Sequence, residues 1–310
     1  MDALPTVSVV IPAYNHAEYI LACLDSVFQQ TFDDFEIIVI NDGSTDATDL
    51  RLRPLVANGK IRYSTQHNSG QAVARNRGLA QARGRYVAFL DDDDLWPPGK
   101  LAWQVEMLDQ HPWTGVAGTV ALMDAGDTDV ASEQFEPRTI TASTVLGQNP
   151  FRSPGQFLVR TESLRNLGGF DSSLWGCDDM DLWIRLAAAG ALVLVDRPAL
   201  VYRRHLAGAS NNTRRMLENG SKVIAKNSRL IPRNARKEAI RNAHHWLYRN
   251  YGRPLLLAAA KKPRTYADLL LFLRIFMVPL SLDRQLALQF YLDAVVPFMR
   301  KTLFRPLLQK

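Results

Sequence analysis

Two hydrophobic periods alternate along the first half of the chain. Val7–Ile11 (VSVVI) is a short apolar run rich in β-branched residues, the pattern of a buried parallel strand, and Pro12 is expected to end it. From Ala17 to Gln30 the residues Ile20, Leu21, Leu24, Val27 and Phe28 recur at helical spacing. Glu36–Ile40 (EIIVI) reads as a second strand closed by Asn-Asp-Gly, and a third is expected near Ile61–Ser64. Gln71–Ala82 reads as a helix, Tyr86–Leu90 as a strand and Leu101–Leu108 as a helix. Such alternation predicts an α/β fold, a mostly parallel sheet covered by helices on both faces.

The signals then weaken. Phe157–Arg160 reads as a strand, Thr161–Asn166 as a short helix, Asp179–Ala189 as a helix ended by Gly190, and Ala191–Val195 as a strand. After about residue 210 strand signals stop, and helices broken at Pro232, Pro254, Pro263, Pro279 and Pro297 are expected. The change of character near Ala209–Arg214 divides the chain into an α/β domain, 1–210, and a mostly helical region, 211–310.

Composition narrows the class. With 310 residues, 47% hydrophobic and 22% charged, the chain is not disordered and has length for a large core. Two cysteines, Cys23 and Cys177, exclude a disulfide scaffold and point to a reducing compartment. The segment MDALPTVSVVIPAYN lacks the features of a secretory signal, so a cytoplasmic location is expected. Charge is unevenly spread: residues 1–196 hold 14 basic and 26 acidic residues, residues 197–310 hold 23 and 5. A basic tail on an acidic body points to an anionic surface, nucleic acid or membrane.

Three acidic groups carry candidate chemistry. The strand ending at Leu90 runs straight into Asp91-Asp92-Asp93-Asp94. Adjacent negative charges repel, and a divalent cation such as Mg²⁺ or Mn²⁺, sharing diphosphate oxygens, would relieve that repulsion. The position suits a ligand, because open α/β sheets bind beyond the carboxyl ends of their strands. Asp42 follows the second strand and can accept from a nucleobase N–H or a ribose hydroxyl, although by itself an Asx turn or helix cap explains it better. Asp178 and Asp179 open a helix, where capping is the plain explanation and a general base facing the crevice the functional one. Arg75 sits early in the helix after His67-Asn68-Ser69-Gly70, a place suited to phosphate. Neither G-x-G-x-x-G nor a P-loop motif occurs, which argues against a Rossmann dehydrogenase and a P-loop NTPase.

In their order, VSVVIPAYN, EIIVINDGSTD, HNSGQAVARNRGL, YVAFLDDDDLWPP, GGFD and CDDMDLWIRLA closely resemble the family 2 glycosyltransferases of GT-A fold, over roughly residues 5–208. The resemblance implies an inverting, metal-dependent transferase using a nucleotide-diphosphate sugar. It implies a nucleotide-contacting loop at Pro12, Ala13, Tyr14 and Asn15, base recognition by Asp42 and a basic residue near the nucleotide at Arg75. The DXD motif falls on Asp91-Asp92-Asp93, with Asp93 on the metal and the earlier acids on ribose or sugar; four consecutive Asp leave the register open by one residue, and Asp91 is a second candidate ligand. Asp179 matches the catalytic base, and Asp178 stands where the family has Glu. His205, in Tyr202-Arg203-Arg204-His205, matches an additional metal ligand of some members. The Gln-x-x-Arg-Trp motif of processive members is missing, so transfer of a single sugar is expected.

The expected acceptor is a glycan or a lipid-linked molecule, and the expected setting is the inner face of a membrane, met through the tail. Leu269, Leu270, Phe272, Leu273, Phe276, Met277 and Leu280 form its apolar face, interrupted by charges well before a span. Two rivals remain. A sugar-nucleotide pyrophosphorylase would place a Gly-rich basic loop where PAYNHAEY stands. A nucleic-acid-binding protein would use the basic tail, against which the acidic body and the apolar tail argue.

Overall fold

The computed structural model describes residues 4–122, 136–203, 212–255, 274–275, 283–290 and 292. Strands β1 (Val7–Ala13), β2 (Phe35–Asn41), β3 (Arg62–Thr65), β4 (Tyr86–Phe89), β5 (Gly115–Leu122), β6 (Arg138–Ile140), β7 (Phe157–Arg160) and β8 (Leu192–Tyr202) form a sheet in the order β3-β2-β1-β4-β7-β5-β8-β6. The first four pair in parallel. β7 runs antiparallel to β4 and β5, β5 pairs parallel with β8, and β6 is antiparallel to β8. The helices of this part are α1 (Ile20–Phe28), α2 (Thr48–Ala57), α3 (Gln71–Gln81), α4 (Lys100–Gln110), α5 (Ala142–Gln148), α6 (Thr161–Asn166) and α7 (Asp178–Ala189). The result is the expected α/β GT-A architecture.

Pro12 does not end β1; the strand continues to Ala13. The Val10 carbonyl accepts from Leu90, on the β4 side, and the Ala13 carbonyl from Asp42, on the β2 side. Position 12 therefore faces β4, which has already stopped at Phe89, so the missing proline N–H interrupts no ladder. Helix α2 gave no readable signal, because Pro54 lies inside it and its apolar pattern is thin. β5 was hidden for a related reason: Gly115, Ala117, Gly118 and Thr119 dilute its apolar pattern. The core is continuous across β1, α1, β2, β4, α4, β5 and β8, with Val9, Ile11, Leu24, Val39, Ala88, Leu101, Val116 and Val193 all buried. On the other side of β1, α3 packs very closely, since a Cβ at Gly78 would stand 2.2 Å from Val10 Cγ1.

The chain divides into two compact units, Met1–Val145 with Asn149–Leu206, and Leu146–Gln148 with Ala207–Lys310. In the second, the Asn212 side chain caps α8 (Thr213–Asn227), whose buried face includes Leu217, Val223 and Ile224. A 3₁₀ turn, Ser228–Leu230, leads to Pro232, which caps α9 (Arg233–Leu247) as the sequence predicts. At Pro254 the chain stays helical through residue 255, and the irregularity falls just before it as a π-turn, Tyr248–Gly252. A further helix, α10 (Arg284–Phe290), follows later in the chain. The apolar face Leu269–Leu280 and the breaks expected at Pro263, Pro279 and Pro297 lie outside the described residues. Among the described residues, no helix is long and apolar enough to cross a membrane.

Candidate active site

The four carboxylates after β4 go to different partners. Asp91, 25% exposed, accepts from Arg75 Nη2 at 2.6 Å on one oxygen and from Ser153 Oγ at 3.2 Å on the other. Asp92 is buried and turned toward the β1 loop: one oxygen accepts from the Tyr14 N–H at 2.9 Å, the other lies 2.7 Å from His16 Nδ1. Asp93 is half-buried. Asp94 is buried; one oxygen accepts from the Arg203 N–H at 3.0 Å, and the other has no hydrogen-bond partner. Burial pushes Asp94 up to about 9, so it is a neutral acid at pH 7. Arg203, just past β8, also donates from Nε to the Asp93 carbonyl at 2.9 Å and lies over the Tyr19 ring.

The loops after β1 and β2 are stitched together. Asn15 adopts a left-handed conformation, φ 55°, and its side-chain oxygen accepts from the Thr45 N–H at 2.7 Å. The Asn15 N–H donates to Ser44 Oγ, and the Ala17 N–H to Asp46. Pro12 and Ala13 are buried at the end of β1, whereas Tyr14, 42% exposed, stands on the surface beside them. Asp42 is buried, accepting from Gln66 Nε2 at 2.7 Å and from the N–H groups of Ser69 and Gly70 at 2.8 Å each. A carboxylate has about four acceptor positions, and three here shape the loop that leads into α3. That loop passes so close to Gly43 (φ 76°) that a Cβ there would lie 2.8 Å from the Asn68 nitrogen.

Arg75 is not presented to solvent. Its side chain is 2% exposed and bridges Asp91 to Asp178, with Nη1 3.1 Å from Asp178 Oδ2. The basic residue expected near the nucleotide is here a strut between two carboxylates. Asp178, also fully buried, accepts in addition from the Gly176 N–H and Gln71 Nε2. Asp179, the next residue, is half-buried at the start of α7, where the helix dipole favours negative charge. Burial and neighbouring Asp178 push it up to about 7, against the pull of Arg75. A carboxylate raised in this way is a stronger base than an ordinary surface one, as a general base near neutral pH requires. α7 is anchored from behind by Trp183, stacked on Phe157 at 3.8 Å.

His16 and Ser153 were not singled out from the sequence. His16 follows directly on the PAYN loop, and its hydrogen bond to Asp92 raises it to about 9. Ser153-Pro154-Gly155-Gln156 is a readable capping box, and its buried serine hydroxyl reaches Asp91. The ligand atoms of His16, Asp92 and Asp93 lie within 4.8 Å of one another. An oxygen-rich set with one imidazole fits Mn²⁺ or Mg²⁺. Within this cluster His16 and Asp92 hold each other, and Asp93 supplies the third ligand atom. His205 lies outside the described residues.

The parallel strands of this mixed sheet end in an acidic turn at their carboxyl edge, the place where open α/β sheets bind ligands. Residues 8–168 match glycosyl transferase family 2, and the chain belongs to that family. An uncharacterised glycosyltransferase of Nostoc sp. is 41% identical over 219 residues, 66% of this chain and 66% of the relative. One of Rickettsia bellii is 40% identical over 206 residues, 64% of this chain but 30% of its own length, so the match spans under a third of that relative. A putative teichuronic acid biosynthesis glycosyltransferase of Bacillus subtilis, TuaG, is 43% identical over 144 residues, 46% of this chain and 57% of the relative. Among solved structures, S. aureus TarS 1–349 superposes with a TM-score of 0.69 at 18% identity, covering 89% of this chain and 80% of its own. The mannosyltransferase PcManGT from Pyrobaculum calidifontis superposes with a TM-score of 0.58 at 23% identity, covering 87% and 79%.

Proposed function

We propose that this chain moves one sugar from a nucleotide-diphosphate donor to a hydroxyl of a glycan or lipid-linked acceptor, with inversion at the anomeric carbon. The observation that carries the reading is Asp179 at the N-terminus of α7, a half-buried carboxyl raised by burial and by Asp178 and joined through Asp178 and Arg75 to the acidic turn at Asp91. TarS has been solved with UDP-GlcNAc and PcManGT with GDP-Man and Mn²⁺, which supports a nucleotide-sugar donor for the shared fold.

Tyr14 and Asn15 flank the nucleotide, with the remaining acceptor position of Asp42 for the base. Asp91 and Asp93 would hold Mn²⁺ or Mg²⁺, with His205 as an additional candidate ligand. When bound, the cation offsets charge gathering on the leaving diphosphate. Asp92 fixes the Tyr14 loop against the turn. Asp179 takes the acceptor hydroxyl proton while that oxygen bonds to the anomeric carbon. The bond from that carbon to the diphosphate oxygen breaks in the same displacement, and no enzyme–sugar bond forms.

The basic C-terminal region brings the site to an anionic membrane face, where a lipid-linked acceptor would lie. Cell-surface polysaccharide synthesis is the setting this implies. The test of the whole reading is a panel of nucleotide sugars screened for protection against thermal unfolding and for nucleotide release, with Mn²⁺, Mg²⁺ or chelator. Protection and release by one nucleotide sugar, dependent on the cation, is the expected result. No response to any donor would overturn it.

A further inference from the structure

Arg75 joins the turn after β4, 16 positions further along the chain, to the start of α7, 103 positions further along. Its fork reaches one carboxylate on each side, and its Nε has no hydrogen-bond partner. The Phe170 ring lies 5.3 Å from the guanidinium carbon. Ser153 holds the other oxygen of Asp91, and the Gly176 N–H and Gln71 hold the other oxygen of Asp178. Each carboxylate is thus pinned from both sides, so movement of either must be transmitted through the guanidinium. Arginine suits this place because its planar fork spans two acceptors, which a lysine ammonium on a flexible stem does not.

We propose that Arg75 is a positioning residue: it fixes the spacing between the donor-side turn and the N-terminus of α7, and it supplies the positive charge beside Asp179. This deepens the assignment of Asp179 as base and rests on it. The charged and titratable groups around Asp179 are Asp178 and Cys177 at the start of α7, Arg75 from α3 and Asp91 from the turn after β4. Burial pushes the Cys177 thiol well up, so it carries no charge near neutrality. Of the other three, Asp178 and Asp91 favour a proton on Asp179, and Arg75 alone opposes it. Burial raises Asp178 as well, so the two carboxyls titrate as a pair; removing the arginine charge must make Asp179 hold its proton to higher pH, and removing the Asp178 carboxyl leaves Asp179 to titrate alone at lower pH.

The test is a ¹³C-NMR titration of the aspartate carboxyl carbons in the metal-free full chain, with the Asp179 signal assigned by its loss in Asp179→Asn. Arg75→Gln should move the Asp179 midpoint up by about one unit or more, the usual effect of losing an adjacent opposite charge. Arg75→Lys should hold the midpoint near the wild-type position, and Asp178→Asn should lower it. Should Arg75→Gln not fold, as judged by its thermal transition, the Arg75→Lys and Asp178→Asn shifts decide the matter. An Asp179 midpoint that stays put in Arg75→Gln, or in Asp178→Asn, would overturn the proposal, since a merely structural arginine would leave it unmoved. The base assignment fails separately, if Asp179→Asn retains wild-type turnover.

Discussion

His16 Nδ1 lies 2.7 Å from one carboxylate oxygen of Asp92, and the Tyr14 N–H lies 2.9 Å from the other. The loop after β1 is thereby tied to the turn after β4 by a pair that is charged at neutral pH, His16 being raised to about 9 by the hydrogen bond and Asp92 to about 6 by burial. A proton held more tightly in the folded chain stabilises the fold wherever it is bound. The His16 contribution is therefore complete below its ordinary value of 6.5 and is lost as pH rises to about 9. Asp92 acts in the same sense lower down, between its ordinary 3.8 and about 6. Charge-assisted bonds contribute about 1.5–3 kcal/mol, roughly 2–5 °C in Tm at this chain size. The Tm difference between wild type and His16→Asn, in chelator, should be greatest near pH 6 and close by about pH 9.5. A difference constant across that range would show that His16 is not charged by Asp92.

Asp179→Asn keeps the shape of the side chain and removes its basicity. The fold and donor protection should be unchanged, and turnover should fall by roughly 10²–10⁴-fold, the usual contribution of a positioned base. Wild-type turnover would move the base elsewhere.

Asp93 and Asp94 are neighbours with opposite environments. Asp94 is buried, neutral at pH 7 and occupied by the Arg203 N–H, so Asp94→Asn replaces one neutral group by another. Mn²⁺-dependent binding of UDP or GDP, followed by titration calorimetry, should change by no more than about twofold. Asp93→Asn should weaken it at least tenfold, given that outer partners of metal ligands alone are worth about 10–100-fold. The reverse order would move the DXD register one residue along, and binding that persists in excess chelator would remove the metal.

The parts of the site that were legible in the sequence are those where a strand ends in charge: Asp42 after β2, Asp91–Asp94 after β4 and Asp178-Asp179 at a helix start. The direction in which each carboxylate turns was not legible. Asp92 and Asp91 are adjacent, yet one closes on Tyr14 and His16 and the other on Arg75 and Ser153, because their partners arrive from segments far away in the chain. Arg75 looked like a surface phosphate contact on helical position alone, and only α7 packing over it makes it an interior strut. The fold was readable wherever β-branched runs alternate with amphipathic helices. It faded at β5, where small residues replace them, and at α2, where Pro54 sits inside the helix.

The membrane reading gains a specific surface from the helical unit. At the corner between α8 and α9, Arg229, Arg233 and Lys237 are exposed, and Leu230 among them is 42% exposed. Arg236 braces the corner from beneath, donating to the carbonyls of Arg229 and Ile231. A basic rim around an exposed leucine matches an anionic lipid surface, where each Lys or Arg contributes about 1 kcal/mol. Neutralising three of them costs about 3 kcal/mol, roughly a hundredfold in partitioning. The full chain should sediment with vesicles containing anionic phosphatidylserine or phosphatidylglycerol, less so at high salt, and not with phosphatidylcholine alone. The triple change R229Q/R233Q/K237Q should abolish most of that binding at low salt. Wild-type binding by the triple variant would place the contact elsewhere in the tail, and no sedimentation of the wild-type chain at low salt would favour a soluble acceptor.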